Sequence, residues 1–473
     1  MTPSADAGPD GAFDAPFDGG DAAPDAGPKR TGAFKWLFQV PKLSNFVMGV
    51  GPDGSTSVAS TFGGDLQMNG QTINAHAGGT DLMVFQLDPA GKLKWFKSFG
   101  LDSVDFHVSG LSVSGNAVVI AGWIESQDSN VLVWKPTPFH PITVANSGSM
   151  GPYVLAVDAS QGGVPMWARS VVGKTGEGLC ASVSANSAAG MLAVGCDVQS
   201  GGISVPTSTG NYDVTTGSAV VETIRVSDGL ANGILSTDVA LDPDGLVYAS
   251  ATATAAPLKL RRANASIPFD GKPSNVVLAM QAGGGAKWSR FWARGVSDEG
   301  SARLAIDSKK NPWVGLSFTG STNPGGGVLT SQGQSDWSVI HLSPTDGSVV
   351  GQAAFGGSSQ DGMFRVAFDR DDLVLFGDGK GFPIGSLAVP SSVGQSTKLS
   401  LAKLDQGSLT QGVWLSSATE TDRVLRPQDV GLGVGGDMDI VGASTTTQVE
   451  LTPTNVVNGT STGPVLFVAA FDR

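Results

Sequence analysis

Seven successive stretches of this chain repeat one local grammar, and the last ends one strand short of a complete unit. The units begin near Lys35, Leu93, Val164, Leu230, Ala286, Ser348 and Leu409, a spacing of about 60 residues, somewhat longer than the common four-stranded repeats. The clearest copy starts with the aromatic run Leu93-Lys94-Trp95-Phe96 and an acidic loop. Two apolar runs around Gly115-Asn116 follow, then a long Gly/Ser-rich loop and a run ending in Val157-Asp158. Such self-similarity argues against a two-sheet sandwich, which has no reason to repeat, and against a solenoid, whose coils use far fewer residues.

Each unit holds two hairpins. In the first, alternating runs flank a tight turn, as in Val239-Ala240-Leu241-Asp242-Pro243-Asp244-Gly245-Leu246-Val247-Tyr248; Pro presets the first central φ and Gly takes the position other side chains resist. In the second, Phe85 to Trp95 turns one apolar run into the next through Asp88-Pro89-Ala90-Gly91. The final unit ends after its third strand, Val465 to Phe471, and the missing outer strand matches Phe34-Lys35-Trp36-Leu37 at the other end of the chain. The expected fold is therefore all-β: a seven-bladed β-propeller of four-stranded antiparallel blades, closed by the N-terminal strand completing the last blade. Closure of that kind leaves only short, protected edges. Unit four has Leu230-Ala231-Asn232-Gly233 where an aromatic strand is expected, so six or eight blades are the alternative counts. Residues 32–473 form the propeller and residues 1–31 a disordered tether.

The units resemble the bacterial β-propeller repeat of secreted and surface-anchored proteins. Phe85 to Trp95 with Phe99-Gly100 carries the resemblance, as do Ala305-Ile306-Asp307 through Gly320 and Val328 to Gly333 followed by Asp336-Trp337-Ser338-Val339. It implies a scaffold with no common enzymatic activity.

Composition narrows the partners. Net charge is −13, and nucleic-acid affinity rests on a basic footprint, so nucleic acid is not an expected partner. Residues 1–31 are almost wholly Ala, Asp, Gly, Pro and polar residues, too few of them apolar to offset the entropy of ordering. This stretch has no apolar signal-peptide region, and no run of about 18 apolar residues offers a transmembrane span. It resembles the linker behind the lipidated cysteine of bacterial lipoproteins, which implies a secreted or cell-envelope surface protein with a lipid anchor upstream of residue 1; a cytosolic protein with a floppy leader is the alternative. A monomer is expected. Cys180 and Cys196, the only cysteines, flank the first hairpin of unit three. If its turn centres on Ala188 they face each other, which suits a disulfide in a non-hydrogen-bonded pair; two buried free thiols are the alternative.

Short turns all fall on one propeller face and long loops on the other, and loops on a rigid scaffold are where binding residues gather. The longest, Glu125 to Met150, carries Trp134, Phe139 and His140, which suit stacking on a sugar or a partner side chain or simply tuck the loop down. Lys259, Arg261 and Arg262 make the densest basic cluster, suited to an anionic glycan. Asp105, Glu177, Asp298, Glu299, Asp361 and Asp422 stand shortly before innermost strands. They are read either as a ring of carboxylates at the channel mouth, attracting calcium or a basic partner, or as acceptors for turn amides. The four histidines are scattered over three units, in loop, strand-edge, loop and strand contexts, and no nucleophile, zinc or phosphate motif has its needed context. The expected function is a non-enzymatic scaffold presenting long loops to a glycan or protein partner, without a cofactor. A propeller-type carbohydrate-active hydrolase or lyase using carboxylates near the channel is the alternative.

Overall fold

One device recurs among the described turns. In the computed structural model, Asp88, Asp242 and Asp307 each aim a carboxylate oxygen at backbone amides two and four residues ahead, at 2.7 to 2.9 Å. Asp53 and Asp346 do so two residues ahead, to Ser55 and Ser348, at 3.0 Å. These local bonds compete successfully with continued extension, so each alternating apolar run stops and reverses at its aspartate.

The structure describes residues 34–126, 132–134, 142–144, 150–170, 172–173, 178–186, 191–198, 203–207, 210–214, 218–225, 231–233, 238–253, 258–260, 265–267, 274–281, 286–293, 302–369, 372–379, 382–388, 398–405, 409, 412–420, 429–432, 438–444, 449–452, 455–457 and 465–471. The fold is an all-β propeller with antiparallel blades. Five four-stranded blades are built from main strands that follow one another in the chain. The first has Leu43–Val50, Thr56–Phe62, Asp81–Leu87 and Leu93–Phe99, and the second Val104–Ser114, Ala117–Ser126, Met150–Asp158 and Val164–Ser170. The third has Gly178–Asn186, Met191–Val198, Ser218–Arg225 and Ala231–Gly233; the fourth has Asp238–Leu241, Val247–Ala253, Ser274–Met280 and Ala286–Ala293. The fifth has Arg303–Ile306, Pro312–Phe318, Asp336–Leu342 and Val349–Phe355.

Five such self-contained blades are fewer than the seven units of the sequence, because the remaining strands enter two sheets of different make-up. Gly362–Asp369, Asp372–Gly379, Lys398–Asp405 and Gly412–Glu420 are extended to six strands by the hairpin Val449–Thr452 and Asn455–Val457. Asp429–Leu432, Met438–Ser444 and Val465–Phe471 share a sheet with Phe34–Pro41, in which Leu37 faces Ala469 and Pro41 faces Val465.

The core lies between blades. Val47, Leu82 and Val84 of the first blade pack on Phe106, Leu111, Ile120 and Tyr153 of the second, and Leu466 and Val468 pack with Val40 on Phe46, Val58 and Phe62. An outer-strand tryptophan locks each of several junctions over the next turn. Trp36 Nε1 donates to Pro89 O at 3.1 Å, and a Cβ on Gly91 would fall 2.5 Å from the indole. Trp288 repeats this over Pro344 and Gly347, and Trp95 packs over Gly163. The fifth blade's outer strand has no tryptophan; Leu409, from the turn of the following sheet, reaches over its Gly351 instead.

Candidate functional site

The innermost strand of each blade is a sheet edge, whose amides would be left unpaired beside the channel. A side chain from the preceding blade meets one of them at each of five successive junctions. Phe106 N donates to Thr80 Oγ1 (3.2 Å), Ala185 N to Ser112 Oγ (2.9 Å) and Leu241 N to Ser184 Oγ (3.2 Å). Leu304 N donates to Asp238 Oδ2 (2.8 Å) and Met363 N to Ser317 Oγ (2.8 Å). The only sequence signal for these struts is a small polar residue in an otherwise apolar strand, as in Leu111-Ser112-Val113. The strands enclose a cavity of about 370 Å³ whose wall includes Ser182, Ser184, Asp238 and Arg365.

A second set of bonds clasps adjacent blades on the long-loop side. Backbone bridges join Thr80 to Asp105 and Ser335 to Gln360, supported by Ser103 N to Ala77 O (2.8 Å) and Asp361 N to Ser335 O (2.8 Å). Two of the candidate carboxylates sit here. Asp361 is fully buried, and its Oδ2 accepts the Gly357 amide at 2.9 Å. Asp105 is half-buried and faces Glu125 across its hairpin. The two belong to different junctions. Glu177, Asp298, Glu299 and Asp422 lie outside the described residues.

The long loops are not irregular throughout: each carries a small hairpin between the second and third strands. These are Leu66–Met68 with Gln71–Ile73, Leu132–Trp134 with Ile142–Val144, Ile203–Thr207 with Gly210–Val214, and Leu258–Leu260 with Ala265–Ile267. Ser321–Thr322 with Leu329–Thr330, Pro383–Ile384 with Leu387–Ala388, and Val449–Thr452 with Asn455–Val457 continue the series. Trp134 stands opposite Ile142, and Lys259 opposite Ser266; Phe139, His140, Arg261 and Arg262 lie outside the described residues. Cys180 and Cys196 are register partners in the third blade, with a bulge immediately after Cys180.

Two histidines stack on tryptophans: His107 on Trp123 with ring centroids 4.7 Å apart, and His341 on Trp313 at 4.3 Å. Burial holds both imidazoles below the ordinary histidine value, against Asp105 and Glu125 for His107 and against Asp307 for His341. As pH falls through about 6.5, the unfolded chain therefore binds protons that the native state does not, and stability falls. His341→Gln is expected to shrink the drop in unfolding temperature between about pH 7.5 and 5.5; an unchanged slope in calorimetry contradicts it. Burial pushes the Asp336 carboxyl up. Among the described residues, no group of three or more His, Cys, Asp or Glu is placed to hold a metal ion. No described helix is long and apolar enough to cross a membrane.

No family model and no curated protein matches the chain. Among solved structures, the quinohemoprotein alcohol dehydrogenase of Comamonas testosteroni is similar at 10% identity and a TM-score of 0.42, covering 93% of this chain and 76% of that one. The phage phi92 endosialidase matches at 9% and 0.40, covering 94% and 68%; the parainfluenza virus 5 hemagglutinin-neuraminidase matches at 8% and 0.34, covering 94% and 95%. All three TM-scores lie below 0.5, and likenesses this distant carry no argument about this chain.

Proposed function

We propose that the chain is a non-enzymatic binding scaffold, a ring of seven blades closed by Phe34–Pro41, that stands outside the cell or on its envelope and offers its long-loop face to a glycan or protein partner. One observation carries the reading. Asp238, Ser112, Ser184, Ser317 and Asp361, all at blade junctions, are engaged with backbone amides, so these polar groups hold the scaffold that positions the loops. The count of seven is supported by the seven loop hairpins. It is also supported by contacts that run from Leu43–Val50 through every later innermost strand to Asp429–Leu432, and from there back to Leu43–Val50. On the loop face, Trp134, Phe139 and His140 supply stacking surfaces, and Lys259, Arg261 and Arg262 a basic patch for acidic groups.

The test uses an array of defined envelope polysaccharides and extracellular proteins, probed with the intact chain and with a variant whose residues 127–149 are replaced by a short Gly-Ser turn. Loss of the principal aromatic anchors should weaken binding by roughly tenfold or more, with no new reducing ends released from any glycan. Binding that is indifferent to the loop, or release of reducing ends, contradicts the proposal.

A further inference from the structure

Three Asn-Gly pairs occur in the chain: Asn69-Gly70, Asn232-Gly233 and Asn458-Gly459. In such a pair the side-chain amide carbon lies within a five-membered ring's reach of the next backbone nitrogen, and glycine has no side chain to shield that nitrogen. Whether the ring closes depends on how firmly the fold holds the backbone there. The third pair lies outside the described residues, and the other two are placed in opposite ways.

Asn232 and Gly233 belong to the outer strand of the third blade, where they pair with Thr223 and Glu222. Asn69 and Gly70 are instead the whole of a two-residue turn at the tip of the first blade's loop hairpin, between the register partners Met68 and Gln71. Their φ values, +49° and +75°, are both positive, as a type I′ turn requires. Both residues are exposed, and nothing lies within 4 Å of a Cβ built on Gly70. Among the described residues, neither the Asn69 side-chain amide nor the Gly70 N–H has a hydrogen-bond partner. Ring closure turns the Asn69–Gly70 peptide out of its turn conformation, so the tip has to open. Buried Leu66, Met68 and Ile73 hold the hairpin from below, and exposed tips open for far less free energy than paired strands.

We propose that Asn69 is a site of spontaneous covalent modification, converted through a cyclic imide to aspartate and isoaspartate while the protein is folded, with water as the co-reactant. Hydroxide takes the Gly70 amide proton. The nitrogen then bonds to Asn69 Cγ, and the Cγ–Nδ2 bond breaks to release ammonia. Water adds to one of the two imide carbonyls and breaks its bond to the ring nitrogen. Opening at Cγ leaves aspartate. Opening at the Asn69 main-chain carbonyl leaves isoaspartate, which adds one carbon to the backbone of a two-residue turn, so the Met68–Gln71 register no longer fits. Either product places a new negative charge on the long-loop face. The chemistry is independent of whatever that face binds.

Peptide mapping by electron-transfer mass spectrometry, which distinguishes aspartate from isoaspartate, tests this on the full chain incubated folded at mildly alkaline pH beside a denatured sample. In the folded chain Asn69 should convert about tenfold or more faster than Asn232, whereas in the denatured chain the two should convert at similar rates. Gly70→Ala, whose methyl meets no atom within 4 Å, should slow conversion at Asn69 severalfold by shielding the attacking nitrogen. Asn69→Gln should give no product there, because its ring would need one more member. Folded Asn69 that stays intact until denatured Asn69 has converted fully overturns the proposal. Asn232 keeping pace with Asn69 in the folded chain overturns the role of the turn, and an unchanged rate in Gly70→Ala overturns the Gly70 nitrogen as the attacking group. The unsubstituted chain decides the first two points, so neither depends on a variant folding.

Discussion

A chain lacking residues 1–40 is expected to lose its cooperative unfolding transition, whereas one lacking residues 1–29 should unfold like the full-length protein. Phe34–Pro41 contributes more than a ladder of hydrogen bonds beside Val465–Phe471. Val40 is 2% exposed within the cluster that includes Leu466, Val468 and Phe46, and Trp36 and Phe38 pack against the same cluster. Fully burying a large apolar side chain contributes about 1.5–3 kcal/mol; Val40 with the partly buried Trp36 and Phe38 therefore adds a sizeable share of the roughly 5–15 kcal/mol that stabilises a whole protein. The deletion also leaves Val465-Leu466-Phe467-Val468-Ala469-Ala470-Phe471 as an uncharged, unpaired edge, the kind of segment that pairs with other chains. Calorimetry with size-exclusion chromatography checks both effects. A monomeric product with the full-length transition contradicts the role given to this strand.

The second large effect is expected at glycines that let blades meet. A Cβ on Gly79 would run into the carbonyl oxygen of Val104, and one on Gly333 into that of Gly357. Neither obstacle is a movable side chain tip; both are backbone of the link into the next blade. Overpacking costs about 1–3 kcal/mol, and forcing the link away breaks clasp bonds such as Phe106 N to Thr80 O (3.0 Å) and Ser103 N to Ala77 O (2.8 Å), each contributing about 1 kcal/mol. Gly79→Ala should therefore destabilise by about 3–5 kcal/mol. Gly64→Ala is the control: its φ is +79° but nothing lies within 4 Å of the added methyl, so only the left-handed backbone costs, about 1–2 kcal/mol. Denaturant titration separates the two, and equal losses contradict the clasp.

These two predictions divide what the sequence could tell from what it could not. The turns at Asp88 and Asp242 are legible because every bond in them is made within four residues. The partner of Phe34–Pro41 is legible because an incomplete last unit and an orphan first strand match in pattern. The struts from Ser112, Ser184 and Asp238 are not, since each reaches more than 50 residues along the chain to a backbone amide, and a backbone amide has no sequence signature. The loop hairpins escape for another reason: runs of two to five residues are too short to display a period. That is also why spacing could not foresee Val449–Thr452 joining the neighbouring sheet through Thr419 and Glu420. Asp361 illustrates the limit for sites. Its position before an innermost strand suits a channel-mouth carboxylate as well as a turn acceptor, and only its burial and its bond to Gly357 reveal that it is engaged in a clasp.

Closure of the ring by its two ends is tested most directly by cross-linking. In a chain with Cys180 and Cys196 replaced by serine, cysteine pairs are placed at Leu37 with Ala469 and, separately, at Phe38 with Val468, which are register partners. Adjacent antiparallel positions alternate between wide and narrow pairs, so one of the two should oxidise readily to an intramolecular disulfide. The expected product is a monomer with raised unfolding temperature that reverts on reduction. Two free thiols in both variants, or disulfides found only between chains, would contradict a ring closed by Phe34–Pro41.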